Sequence, residues 1–379
     1  MLQHYHYIFT GAGCAGLSLL VHLKRAGALE GKQVLVIDPD RKEKNDRTWC
    51  FWEKEEGPFE PVVYHRWNQL YVMGEDYEEQ HNIAPYTYKL IRGIDFYAFC
   101  RSELEGLSNI RWLREPVQAL KNEGGEARVQ AGDTWHRADY IFNSIPPQHP
   151  PLRRGQHWML QHFRGWFLET EDPVFNPAEA TLMDFRTVQE EGTTFFYVLP
   201  FSPTEALVEY TLFSGQTLPE ERYEAALRQY VEERLGIRRY RVREREDGVI
   251  PMTDYRFPAE EGRVVHLGTA GGRTKGSSGY TFRFIQKHAA ALTRRMLATG
   301  SPLGLAPEAW RFHFYDAVLL SVLAQRSVPG HRIFTRLFRR NPAPRVLQFL
   351  DNETSLPAEV RLISTLPTLP FLRAALKVR

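Results

Sequence analysis

Apolar runs separated by polar breaks divide the chain into short strands and a smaller number of helices. Near the start, Tyr7, Ile8 and Phe9 form the apolar run of a buried strand. From Leu17 the positions Leu19, Leu20 and Leu23 recur at helical spacing as far as Gly27. "QVLVID" is a second apolar strand ending at Asp38, and the polar stretch "PDRKEKNDRTWCFWEKEEG" reads as mostly loop, with Trp49, Phe51 and Trp52 close together. Alternation in "WNQLYVM" and "EEQHNI" predicts strands of an antiparallel sheet, and "DFYAFCRSEL" predicts a helix. "NIRWLREPVQAL", "ARVQA" and "ADYIFNSIP" predict further strands before a proline-rich break from Pro146 to Pro151. The middle third is strand-rich and aromatic ("GWFLET", "ATLMDFR", "TFFYVLPFS", "ALVEYTLFS"), with one helix at "PEERYEAALRQYVEERLG". Near Val264 a buried strand, a glycine-rich turn and a helix follow in succession, and beyond Pro307 proline-punctuated helices are expected.

This order predicts an α/β protein with a discontinuous Rossmann-like domain (1–60, 90–150 and 245–305). An antiparallel-sheet substrate domain (61–89 and 151–244) is inserted into it, and a helical C-terminal region (306–379) follows. Between the first strand and helix lies G-x-G-x-x-G: Gly11, Ala12, Gly13 and Gly16 with their intervening residues. Gly11 permits the turn, Gly13 lets backbone approach a pyrophosphate, and Gly16 lets helix and strand pack closely. The helix N-terminus then presents unsatisfied N–H groups to phosphate. Asp38, about twenty residues past the last glycine, is placed to accept from a ribose hydroxyl. The motif by itself does not separate FAD from NAD. Two parts of one domain meeting around an elongated cofactor suit a dinucleotide such as FAD.

Composition changes this picture little. The 379 residues are 43% hydrophobic and 25% charged with a net charge of +2, enough to bury a full core and no overall reason to expect nucleic acid. Cys14, Cys50 and Cys100 are scattered, and neither they nor the histidines show metal-ligand spacing, so no disulfide framework and no metal site is expected. The first strand begins too soon after Met1 for a signal peptide, and no apolar run approaches the ~18 residues that span a bilayer. A cytoplasmic location is the expectation.

Several segments together resemble the lycopene cyclases, flavoproteins with a fold similar to para-hydroxybenzoate hydroxylase. They are "TGAGCAGLSL" (10–19), "DRTWCFW" (46–52), "LMDFR" (182–186), "FFYVLPFS" (195–202), "LVEYT" (207–211), "GVIPM" (248–252) and "GTAGGRTKGSSGY" (268–280). The family often has a second acid where Tyr210 follows Glu209, and proline where Gly276 stands. The resemblance implies acid-catalysed, non-redox closure of the ends of lycopene, or a related acyclic carotene, to β-ionone rings. It implies reduced FAD as cofactor, NAD(P)H as electron donor, and association with other enzymes of carotenoid synthesis. It places Thr48, Gly268, Thr269, Ala270, Gly271, Gly272, Ser278, Gly279 and Tyr280 with the first glycine turn at the cofactor. Ser277 to Tyr280 are expected to open the following helix.

Protonating an alkene needs an acid kept neutral in a dry pocket. Glu209 shares a strand face with Leu207, Thr211 and Phe213, so it is either that acid or a solvent-facing glutamate; the family match favours the acid. Asp184 and Arg186 share a face, which suits an ion pair as well as a pocket role, and Phe195 and Tyr197 suit core or pocket wall. Two other readings share these features: a flavin monooxygenase or reductase acting on a prenyl lipid, and a non-catalytic protein binding flavin and carotenoid. From Arg326 to Leu350 there are six arginines and no acidic residue. Within "RIFTRLFRR", Ile333, Phe334, Leu337 and Phe338 share one helical face flanked by Arg332, Arg336, Arg339 and Arg340. That pattern suits a helix packed on the core or one lying in a membrane interface. A bilayer-dissolved substrate favours the second, and with it peripheral attachment on the cytoplasmic side.

Overall fold

In the computed structural model, which describes residues 4–123, 125–147 and 150–378, five parallel strands form the centre of one sheet. Their order is Val264–His266, Thr134–Asn143, His4–Thr10, Val34–Ile37 and Ile110–Leu113. Continuous apolar runs such as "VLVI" fit this setting, because a parallel sheet is covered on both faces and all four residues are buried. Helices Cys14–Arg25 and Phe282–Thr299 pack together over one side. The carboxyl ends of three parallel strands therefore deliver the first glycine turn, Ser144 and the late glycine turn to one edge.

The second sheet has seven strands in the order Tyr240–Thr253, Trp158–Thr170, Glu205–Ser214, Thr193–Pro200, Glu179–Asp184, Gln69–Gly74 and Tyr77–Asn82. All neighbours run antiparallel except Glu179–Asp184 beside Gln69–Gly74. Helix Glu220–Gln229 and its π-helical continuation Tyr230–Arg234 bury Tyr223, Leu227, Tyr230 and Val231 against one face. Helices Trp310–Ala324, Gly330–Arg340 and Ala343–Leu350 contribute to the core on the other. Shorter helices Leu356–Ile363 and Thr368–Ala375 complete the C-terminal region. A three-stranded sheet, Thr48–Glu53, Thr87–Arg92 and His65–Trp67, lies in the chain between the parts of the first sheet.

Three expectations need correction. The stretch around Trp49 is a strand rather than a loop. It pairs residue for residue with Thr87–Arg92, and Trp52 is fully buried with its indole N–H on the Leu347 carbonyl. The stretch 245–253 belongs to the second sheet, because Tyr240–Thr253 pairs along its length with Trp158–Thr170. Helix Gly330–Arg340 does not turn its apolar face outward. Ile333, Phe334, Leu337 and Phe338 are all buried, and Phe334 stacks on Phe185 at 6.0 Å. Arg339 pairs with Asp76 at 3.0 Å and Arg336 donates to the Thr365 carbonyl. The apolar stripe has a protein surface to cover, and packing there removes it from water.

Candidate active site

At the shared edge of the first sheet, close backbone approach explains the glycines. Gly11 has φ +103°, and a Cβ on Gly16 would lie 2.2 Å from the Gly11 carbonyl oxygen. Gly13 faces open space, with nothing within 4 Å of a Cβ built there. The Asp38 carboxylate accepts from the Ala12 N–H at 2.6 Å and lies 3.6 Å from Lys42 Nζ, so it braces the turn. Gly268 comes against the start of the first helix, where its Cβ would meet that of Ala15 at 2.9 Å. Gly268–Gly271 is a single 3-10 turn closed by Gly272 in the left-handed region. Thr269 donates to or accepts from Thr274 at 2.9 Å. Ser277 to Tyr280 precede the helix that Thr281 caps rather than opening it.

Beside this edge a cavity of about 370 Å³ lies between the late glycine turn, the three-stranded sheet and the second sheet. Thr48, Thr269, Ser278, Gly279 and Tyr280 border it, and so do Tyr197, Glu209 and Glu246. The second sheet supplies these last residues from one rung. Tyr197 is opposite Glu209, Glu209 is opposite Gly165, and Gly165 is opposite Glu246. Direct cross-strand partners point to the same face, so two carboxyl groups look into one cavity from either side of a residue with no side chain. Two strand spacings put their α-carbons ~10 Å apart. A Cβ on Gly165 would already be 2.8 Å from Leu207 Cδ1 and 3.6 Å from Glu209 Cβ.

The two carboxyl groups have different surroundings. Glu209 is half-buried at the wall of the cavity, and it accepts one hydrogen bond, from Thr211 Oγ1 at 2.6 Å. Burial, reinforced by the negative charge of Glu246, pushes its pKa up to about 8. Glu246 accepts two bonds, from the Thr48 N–H at 2.7 Å and Thr48 Oγ1 at 2.5 Å. Burial raises its pKa as well, but both Thr48 bonds and the Arg47 charge oppose that rise. Of the pair, Glu209 is the one that keeps its proton to the higher pH, with the Glu246 charge among the causes. The Tyr88, Tyr197 and Tyr280 phenols around them are kept neutral by burial, and the Cys50 thiol likewise.

Asp184 and Phe195 do not line this cavity. Asp184 is fully buried on the face covered by helix Glu220–Gln229 and its continuation, held by Arg186 through bonds of 2.9 Å to each oxygen and by the Tyr230 hydroxyl at 2.8 Å. Its lone pairs are occupied structurally. Phe195 lies in the core between Phe185 and Phe213. Glu246, Arg47 and Gln161 border the cavity without having been singled out in sequence. The alternation of "EREDGVIPM" leading into Gly248 was the available signal for Glu246. Lys275, nearly fully buried, donates to Asp316 at 2.6 Å and ties the late turn to helix Trp310–Ala324.

A flavin dinucleotide suits these residues. The open face of Gly13 and the bare backbone of both turns match a pyrophosphate. Around the cavity Gln161 Oε1 and Ser278 Oγ are buried polar atoms with no hydrogen-bond partner, while the Tyr88, Tyr197 and Tyr280 phenols interact with one another. Orphans of this kind point to a polar ligand in the cavity.

The fold is that of flavin-dependent oxidoreductases. A geranylgeranyl bacteriochlorophyll reductase-like protein from Thermoplasma acidophilum superposes over 100% of both chains with a TM-score of 0.64 at 10% identity. A flavin-dependent brominase covers 96% of this chain and 98% of its own with a TM-score of 0.63 at 12% identity. The chain belongs to the lycopene cyclase protein family, whose model matches residues 7–376. Lycopene beta-cyclase of Pantoea ananas is 22% identical over 394 aligned positions, covering 99% of this chain and 98% of that one.

Proposed function

We propose that this protein closes the acyclic ends of lycopene, or a related acyclic carotene, to β-ionone rings by proton transfer, without net redox change. The observation that carries this reading is the rung: a carboxyl that stays protonated near neutrality, facing a charged one across a glycine gap in an aromatic-walled cavity. Gly11, Ala12, Gly13, Gly16 and Gly268 to Gly272 would hold the pyrophosphate side of FAD, and Thr48, Ser278, Gly279 and Tyr280 its other end. Reduced FAD, kept so by NAD(P)H, would supply negative charge close to the reacting carbons.

Glu209 gives its proton to the terminal double bond and leaves a tertiary cation. The neighbouring double bond then attacks, a ring carbon–carbon bond forms, and loss of one proton restores neutrality. Atoms and electrons balance, because the product is an isomer of the substrate. The carboxylate left on Glu209 is placed to take a proton back, and fixed charge on Glu246 favours positive charge in the cavity throughout. The faces of Tyr88, Tyr197 and Tyr280 add cation–π attraction, and a dry cavity keeps water from capturing the cation.

The test is product analysis from lycopene with FAD and a reductant under strict anaerobiosis. Cyclic carotene formed without proportional consumption of reductant supports the reading. One reductant consumed per product would replace it with a prenyl-lipid reductase, the alternative that the likeness to a reductase-like fold favours. Carotene bound unchanged would leave a carrier. Because the proposed substrate dissolves in lipid, we also place the working enzyme at a membrane surface on the cytoplasmic side.

A further inference from the structure

Thirteen large apolar side chains are exposed on the described surface, and their distribution is uneven. Tyr64, Ile145, Leu152, Val174, Val188, Val249 and Leu297 are scattered singly, which is ordinary for a protein surface. The other six lie on three C-terminal helices, or just past the last of them, with the second and third each contacting the first: Trp310, Leu356, Val360, Leu369, Leu372 and Leu376. Leu376 is 79% exposed and Leu369 66%.

Spacing puts these residues on common faces. Leu369, Leu372 and Leu376 follow i, i+3, i+7, and Leu356 and Val360 follow i, i+4. Polar contacts hold the helices side by side. Arg311 and Tyr315 both bond the buried Glu359, and the exposed Lys377 Nζ reaches Gln325 at 3.1 Å. The apolar residues on the outer sides have no protein to cover.

Charge selects the occupant. Between Thr354 and Val378 the exposed charged residues are Arg361, Arg373 and Lys377, all basic; of the exposed acids nearest to this surface, Glu353 is paired with Lys287 and Glu308 stands two residues before Trp310. The single acid in that span, Glu359, is fully buried against Arg311. Leucines exposed in rows, with cations at their margins and a tryptophan at one edge, match an anionic lipid interface.

We propose that helices Leu356–Ile363 and Thr368–Ala375, with Trp310 beside them, form the surface by which this protein docks on an anionic bilayer. The leucines enter the headgroup boundary, and Arg361, Arg373 and Lys377 meet lipid phosphates. This locates the membrane contact away from helix Gly330–Arg340, whose apolar face is already occupied. It agrees with a lipid-dissolved substrate but is tested without one, so it stands or falls apart from the proposed reaction.

The test uses the full-length holoprotein and flotation with vesicles of phosphatidylcholine alone or mixed with phosphatidylglycerol. The native chain should float more with the anionic vesicles and less as salt rises. Combined Leu369→Asp, Leu372→Asp and Leu376→Asp should lower vesicle partitioning roughly tenfold or more. Val188→Asp, an exposed valine elsewhere, should leave it unchanged. Flavin content and melting temperature report whether the variants fold. Hydrogen exchange on the native chain gives a second reading that needs no variant, with amides in 356–376 gaining protection when anionic vesicles are added. Equal flotation of native and triple variant, or no added protection there, overturns the proposal. A native dimer in lipid-free buffer that the triple variant dissociates also overturns it, since a second copy would then cover this face.

Discussion

At the edge of the first sheet, Gly11, Gly13 and Gly16 leave backbone bare, and successive stretches of chain come together because nothing projects between them. On the second sheet the working groups project. Glu209 and Glu246 come from strands separated by a third, and reach one cavity through the register of that middle strand. The first arrangement needs a few residues in a row and tolerates any chemistry that binds a pyrophosphate. The second depends on residues more than thirty positions apart and, in the reaction proposed above, sets where the proton is given. Binding would therefore be set locally and the reaction by sheet register.

Separating the two should be possible by substitution. The largest loss of turnover is expected at Glu209. Glu209→Gln keeps size and polarity but has no proton to give, so ring formation should fall by roughly 10²–10⁴-fold while bound flavin stays at the native level. The same variant should be more stable than the native protein as pH rises. The folded pKa of about 8 stands above the ordinary 4.5, so ionisation is resisted in the folded chain and stability drains away between those two values. Gln removes that loss, by up to ~3 kcal/mol at pH 7, readable in denaturant melts at pH 5 and pH 8. A variant with normal flavin and substantial cyclisation would take the acid away from this rung.

Gly13→Val acts on the other region. A side chain there occupies the space a phosphate would use, so visible flavin absorbance of the purified protein should largely disappear, and turnover with it. A variant that stays yellow would remove the pyrophosphate from this turn. Glu246→Gln should act more gently. Without its charge the Glu209 pKa falls, and the alkaline limb of the pH–rate profile moves down by about one unit, roughly tenfold in rate above that limb. An unmoved limb with intact folding would mean that the two carboxyls do not communicate. Asp184→Asn should change turnover least. It weakens the buried contact with Arg186 and Tyr230 and lowers stability by ~2–4 kcal/mol, with the pH profile unmoved.

How much of this could be read beforehand follows the same division. The glycine turn, Asp38 and the late turn are contiguous patterns, and their placement at one edge follows from parallel strands ending together. Glu209 was visible from its apolar face-mates and its motif. Glu246 was not, because its importance lies in standing opposite Gly165, which only pairing reveals. The helix Gly330–Arg340 misled for a related reason. An apolar stripe between arginines looks the same whether it covers protein or lipid, and Phe185 and Phe213, which it covers, are over a hundred residues away. The strand Thr48–Glu53 hid in a polar stretch because its burial comes from the helices and strands around it rather than from its own alternation.

The strand Tyr240–Thr253 carries one bulge against Trp158–Thr170, where Arg243 is the extra residue opposite Phe167 and Leu168, on the far side of Gly165 from Phe163 and His162. One residue added or lost beyond that point is absorbed as a change in the bulge. One added between Gly165 and the strand start would turn the pleat over and send one carboxyl to the opposite face. Over long divergence this sheet should accumulate length changes at its bulged end and almost none at the other.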